Sequence, residues 1–295
     1  MTGDVIRLEK GGLVIDVSPL GGSILSANWH GMPFLKPVAS PGLASQVFGA
    51  EACFPLIPFG NRIENNRFHF EGQDHVLQPN TADPLVLHGD GWLQGWEILK
   101  QAPDGIVFRY VHDLNEGSPF AYEAIQAIDI CNDSLSLSLT ITNKATRRLP
   151  YGLGFHPYFP RTPATRLFAN VKRYWSEREN HLPGEAGPLP TDLDFPNGTT
   201  LPGRWLNNAF AGWDGKARIE WPEIGMALSL EADAIFGHFV LYSPSEDGEF
   251  FCLEPMSHLP NAHAMERFEG LVTLDPGQQL GGRMTLRLVK PAHSR

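Results

Sequence analysis

The sequence has no continuous apolar stretch near its start. "MTGDVIRLEKGG" carries Asp4, Arg7, Glu9 and Lys10 and lacks the hydrophobic segment of a secretory leader. No later run approaches the roughly 18 apolar residues that a membrane span needs, so the expectation is a soluble protein with no membrane partner. Cysteine is scarce. Cys53, Cys131 and Cys252 are odd in number and widely spaced, each in an apolar or strand-like run. That excludes a disulfide framework and suits reduced, buried thiols in a cytoplasmic protein. The net charge of −10 includes no long acidic tail, and the basic residues form no stripe that could follow a phosphate backbone; nucleic acid is not an expected partner. Sustained helical periodicity is also scarce. No shift of composition marks a linker and no fixed period repeats. With 30 Gly and 25 Pro spread from end to end, residues 1–295 are expected to form one domain, as a monomer or a homodimer.

What the chain does have is period-two alternation. In "SLSLSLTIT", Ser134 to Thr142, hydroxyl residues alternate with leucine and isoleucine, the pattern of a strand with one face in the core and one in water. Further strands are expected in "GLVIDVSP", "GIVFRYVHD", "YEAIQAIDI", "ARIEWP", "MALSLEA", "HFVLYSP", "FFCLEP" and "RMTLRLV", separated by turns such as Asn132-Asp133 and Asp275-Pro276-Gly277. Their number points to an all-β fold, a large sandwich or barrel. With 295 residues, 42% of them hydrophobic, the chain can bury a core and still enclose a site. The stretch Pro160 to Leu206 looks most irregular, and a connection of that length usually carries function. It is expected to wall a cleft.

Two strands hold ionisable residues where apolar ones belong. Written as a strand, "YGLGFHPYF" puts Tyr151, Leu153 and Phe155 on one face and Gly152, Gly154 and His156 on the other. Bare glycines beside a histidine would give a flat sugar ring a floor to approach. A core histidine bonded to a carbonyl meets the same pattern. In "EFFCLEPMSH", Glu254 shares a face with Cys252 and Phe250 in a run that reads as buried on both sides. Burial raises a carboxyl pKa toward the range of a general base, although a salt bridge or an exposed strand end would also account for it. "FPLIPFGNRI" leads an apolar run into Gly60, Asn61 and Arg62, and "PLVLHGDGW" is expected to end a strand at His88 and turn through Gly89 and Gly91. Arg62 offers fixed donors for oxygen, and Trp92 or Trp96 could offer an aromatic face. Each has a structural alternative as a surface arginine or a turn histidine.

Taken in order, "PFGNRI", "LHGDGW", "GFHPYF" and "CLEP" resemble the aldose 1-epimerase, or galactose mutarotase, family over nearly the whole chain, from "LVIDVSPLGGSI" to "LDPGQQL". The resemblance implies a large antiparallel β-sandwich of the galactose mutarotase type, with its site in a cleft on one sheet. It further implies that Glu254 is the general base at the anomeric hydroxyl and His156 the acid at the ring oxygen, with neither metal nor organic cofactor. Arg62 and His88 correspond to residues that hold sugar oxygens. Asn207 in "LNNAFAGWDG" stands where the family commonly has a sugar-binding aspartate, so it keeps an acceptor and loses the charge. The segment "PNAHA" also departs from the family pattern.

Rival readings are a metal-dependent sandwich enzyme using His156, Glu254, His258 and His263, a noncatalytic sugar binder, and a hexose 6-phosphate epimerase using Arg67 or Arg161. The first lacks the compact histidine cluster of its class. For the last, Arg62 is the one fixed cation in the four motifs, which favours a neutral free aldose.

Overall fold

Alternating strands whose apolar faces must be covered can be satisfied by two stacked sheets, and this is the arrangement found. The structure, a computed structural model, describes residues 5–36, 51–115, 117–244 and 248–289. One sheet has nine strands in the spatial order 199–200, 166–169, 216–221, 226–232, 279–289, 134–143, 122–131, 105–112, 97–102. The facing sheet has eight strands, with the path 182–187, 173–178, 206–211, 238–243, 250–256, 154–155, 55–56, and with 158–160 paired to 250–256 off that path. Strands 6–10, 13–18, 23–29 and 32–35 form a separate four-stranded meander. The pairings are antiparallel throughout both large sheets. Every strand expected from alternation is present, as are both turns, but the strand expected to end at His88 is not: residues 84–88 form only an isolated bridge, Leu87 with Arg62.

In Ser134–Asn143, Leu135, Leu137, Leu139 and Ile141 are buried, and Ser136, Ser138 and Thr140 are partly exposed between them. Phe251 and Leu253 of the facing sheet join the same apolar cluster as those leucines. Cys252 and Met256 belong to a second, smaller cluster with Phe54, Trp92 and Tyr158. Strand Phe250–Met256 therefore divides two apolar clusters, and its even-numbered side chains face away from the main core.

Two expectations are corrected. Pro160 to Leu206 is not a long irregular connection, because it contributes the strands 166–169, 173–178, 182–187 and 199–200. These lie at or near sheet edges, where proline and charge are tolerated and alternation is weak. Cys131 is exposed at a hairpin end, whereas Cys53 and Cys252 are buried, and all three thiols are free. Among the described residues, no helix is long and apolar enough to cross a membrane.

Candidate active site

Glu254 sits mid-strand, opposite Val240, with 2% of its surface exposed. Its Oε1 lies 3.3 Å from His156 Nε2, and its Oε2 is buried with no hydrogen-bond partner in the protein. Burial pushes the Glu254 carboxyl up to about 8, against a smaller opposing pull from Arg62.

His156 reaches this carboxylate because the chain pairs alongside that strand both before and after it, in one antiparallel register. Gly154 pairs with Met256 and Tyr158 with Cys252, and between them the His156 N–H donates to Phe54 O at 2.9 Å. "YGLGFHPYF" is thus three short strands, 149–151, 154–155 and 158–160, not one. The His156 ring stacks on Phe54 at 4.6 Å and on Tyr158 at 4.8 Å between centroids. Burial there lowers its pKa to about 3, and its Nδ1 has no partner. The glycine floor is corrected: a Cβ on Gly152 would meet the His258 ring at 1.9 Å, and one on Gly154 the Pro255 carbonyl at 2.6 Å. These glycines admit protein atoms, not a sugar.

His88 and Asn61 clamp each other. The His88 N–H donates to Asn61 O at 2.9 Å, and the Asn61 N–H donates to His88 Nδ1 at 3.0 Å. Burial holds His88 neutral, well below its usual pKa. With Nδ1 accepting, its proton lies on Nε2, which makes that nitrogen a donor. The turn depends on Gly89, whose φ is +63° and where a Cβ would lie 2.0 Å from Ile57 O. Arg62 adds two bonds to Asp83 Oδ2, at 3.0 and 2.7 Å, so its fork is anchored from behind.

These residues line one cleft of about 260 Å³, bounded by Asn61, Arg62, Leu87, His88, His156, Tyr158, His181, Trp205, Asn207, Tyr242 and Glu254. That is below the usual range of about 300 to 1,000 Å³ for larger ligands and suits a single ring. All five residues singled out from sequence, Glu254, His156, Arg62, His88 and Asn207, meet here. Asn207 arrives through register, since it pairs with Tyr242, which pairs in turn with Cys252.

Other expectations do not hold. Trp92 and Trp96 are buried and donate to the carbonyls of their own loop. Trp92 meets the His88 ring edge-on, 6.0 Å between centroids, and neither tryptophan lines the cleft. Arg67 is exposed on a hairpin, and Arg161 lines a different cleft, donating to Ser243 Oγ and to the carbonyls of Leu201 and Pro202. His258 accepts from the Gly60 N–H and donates to Leu259 O, while His263 bonds Pro150 O. Neither converges with His156. Among the described residues, the one group with metal-ligand spacing is His156, Cys252 and Glu254, all buried.

Sequence reasoning missed Asp83, Tyr242, Asn61, His181 and Trp205. Tyr158 lay inside a quoted motif, and its place after His156-Pro157 was the available signal. Asn61 and Tyr242 likewise lay in the quoted "PFGNRI" and "HFVLYSP", where neither breaks the pattern, and Asp83, His181 and Trp205 stand in stretches with no alternation to violate.

Comparison with known proteins gives a consistent picture. The family model for aldose 1-epimerase matches residues 4–287. The uncharacterized Escherichia coli (strain K12) protein YphB is 39% identical over 293 residues, which covers 96% of this chain and 98% of that one. A crystal structure of a candidate aldose 1-epimerase from Escherichia coli K12 superposes with a TM-score of 0.92 at 38% identity, covering 98% of this chain and all of the other. The galactose 1-epimerase of Lactobacillus acidophilus NCFM, at 15% identity, a TM-score of 0.81 and coverage of 98% and 95%, shares the fold.

Proposed function

The chain belongs to the aldose 1-epimerase family, and from that premise we propose that it interconverts the α and β anomers of a neutral free aldose. The reading is carried by the 3.3 Å approach of Glu254 Oε1 to His156 Nε2 at the floor of the cleft. Burial drives the carboxyl up and the imidazole down, which favours Glu254 as the holder of the proton the pair shares. The carboxylate–imidazolium form holds that same proton on Nε2. Sugar hydroxyls donating to the unpartnered Oε2 favour it, and Arg62 adds a pull in the same direction.

In that form Glu254 takes the proton from the anomeric hydroxyl as the C1–O5 bond breaks. The bond pair passes to O5, which receives the proton from His156, and the open-chain aldehyde results. Rotation about C1–C2 presents the other carbonyl face. On closure His156 recovers its proton from the O5 hydroxyl as O5 attacks C1, and Glu254 returns a proton to O1. No atom is gained or lost, and no redox partner or cofactor enters. His88 Nε2–H and the Arg62 guanidinium bind hydroxyl oxygens.

Arg62, which lines the cleft, is already matched by the Asp83 carboxylate, which favours a neutral sugar over its 6-phosphate. Free thiols suit a cytoplasmic protein. Polarimetry on freshly dissolved single anomers across a panel of aldoses tests the reading. Acceleration that saturates with sugar supports it, and sugar binding without acceleration would make the chain a noncatalytic binder.

A further inference from the structure

One carboxylate behind the cleft holds three of its lining side chains. Glu177 Oε1 accepts from His181 Nδ1 at 2.6 Å and from Asn207 Nδ2 at 2.8 Å, while Oε2 accepts from Trp205 Nε1 at 2.6 Å. Glu177 itself does not line the cleft. Its aim comes from an irregularity: pairing between strands 173–178 and 182–187 shifts register between Trp175 and Glu177, and such bulges redirect a side chain. The chain then turns through Asn180 and His181, both at φ +59°, which folds His181 back onto Glu177.

The donors define what is left over. A carboxylate only accepts, so the Asn207 atom facing it is the amide NH2, and Asn207 Oδ1 is the acceptor that remains. His181 Nδ1 carries a proton in the same way, and in the neutral ring Nε2 is an acceptor. Trp205 is 42% exposed at the mouth of the cleft, yet its ring is fixed by its own N–H bond and by an edge contact with Tyr242, 5.3 Å between centroids at 84°. An exposed indole held in one orientation is a preformed face for the C–H side of a sugar.

We infer that His181, Trp205 and Asn207 form a rim subsite that binds the non-anomeric hydroxyls and one C–H face of a neutral aldose, with Glu177 as the positioning residue for all three. The inference rests on the sugar-binding reading of the cleft floor. Asn207, bonded to the Glu177 carboxylate behind it, keeps the acceptor that a hydroxyl needs.

The test compares wild type with Glu177→Gln and Trp205→Ala in two assays: steady-state anomerisation of a free aldose, and calorimetric binding of its methyl glycoside, whose blocked anomeric carbon cannot ring-open. Glu177→Gln is expected to raise KM and the glycoside Kd by about tenfold, the scale of a lost charge-assisted contact, with kcat within about twofold of wild type because no proton transfer passes through the rim. Trp205→Ala, a change at an exposed side chain, is expected to weaken both similarly and serves if Glu177→Gln does not fold. Unchanged KM and Kd in a folded variant, or a fall in kcat alone, would overturn the subsite. A wild-type protein that binds the glycoside, loses that affinity in the variants and turns over no aldose would leave the subsite standing and remove the epimerase reading.

Discussion

Glu254 and His156 approach within 3.3 Å, and burial moves their proton affinities in opposite directions, to about 8 and about 3. Between the two, burial therefore favours the proton on the carboxyl. Glu254→Gln keeps the shape, removes the exchangeable proton and is expected to lower kcat/KM by about 10²- to 10⁴-fold. The sign for stability is the reverse. The folded carboxyl titrates above its ordinary 4.5, so wild type loses stability as pH rises from 4.5 toward 8, while the amide does not. The variant's melting temperature should exceed that of wild type by an increasing margin across that window. A folded variant that retains turnover within a few fold would remove Glu254 as the base.

His156→Ala separates proton transfer from binding. Donation to O5 matters as the C1–O5 bond breaks, so turnover should fall by about 10²-fold or more while the methyl glycoside still binds. Lost affinity with normal turnover would make His156 a binding residue.

Acid should weaken the protein as well. Burial holds His88, His156, His258 and His263 below their ordinary 6.5. The unfolded chain takes up protons below that pH and the folded one does not, so stability present above 6.5 is lost as pH falls. His156, His258 and His263, lowered to about 3 or 4, each contribute up to about 2 kcal/mol by pH 5. Glu254 acts in the opposite sense between 4.5 and 8, but it is one group against four. The urea midpoint should drop steeply from pH 6.5 to pH 5; a flat profile would mean that these histidines already carry protons in the fold.

Charge selectivity is open to a single substitution. Asp83→Asn leaves Arg62 without its carboxylate, and the ratio of kcat/KM for an aldose 6-phosphate to that for the free sugar should rise about tenfold from a wild-type value below one. A wild-type preference for the phosphate would contradict the pairing argument.

Prolonged chelation should leave turnover intact. Activity lost to chelator and restored by one metal would place an ion among His156, Cys252 and Glu254, and would replace acid–base catalysis by the pair with Lewis-acid chemistry.

What could be read from sequence follows from which residues meet a uniform environment. Ser134–Asn143 meets core on one face and water on the other, so alternation exposes it. Glu254 is legible as one acid in a wholly apolar strand. Glu177, His181 and Trp205 answer to one another across a sheet edge, and no periodicity is broken when polar residues stand in a polar stretch. Asp83 has no signal in the chain, because its partner is decided by where two loops meet. The glycines beside His156 were visible, but what fills the space above them depends on His258, a residue from another segment.

Strand Phe250–Met256 keeps its odd-numbered side chains, Phe251 and Leu253, in the main core and its even-numbered ones, Cys252 and Glu254, toward the cleft. Neighbouring positions in one short segment are therefore exposed to different selection. Drift at 251 or 253 is judged by whether the chain folds, and drift on the opposite face by which sugar it handles. A lineage could exchange substrates through Asn207 and Tyr242, outward positions that line the cleft, while Glu254 kept the chemistry and the interior stayed under the same constraint.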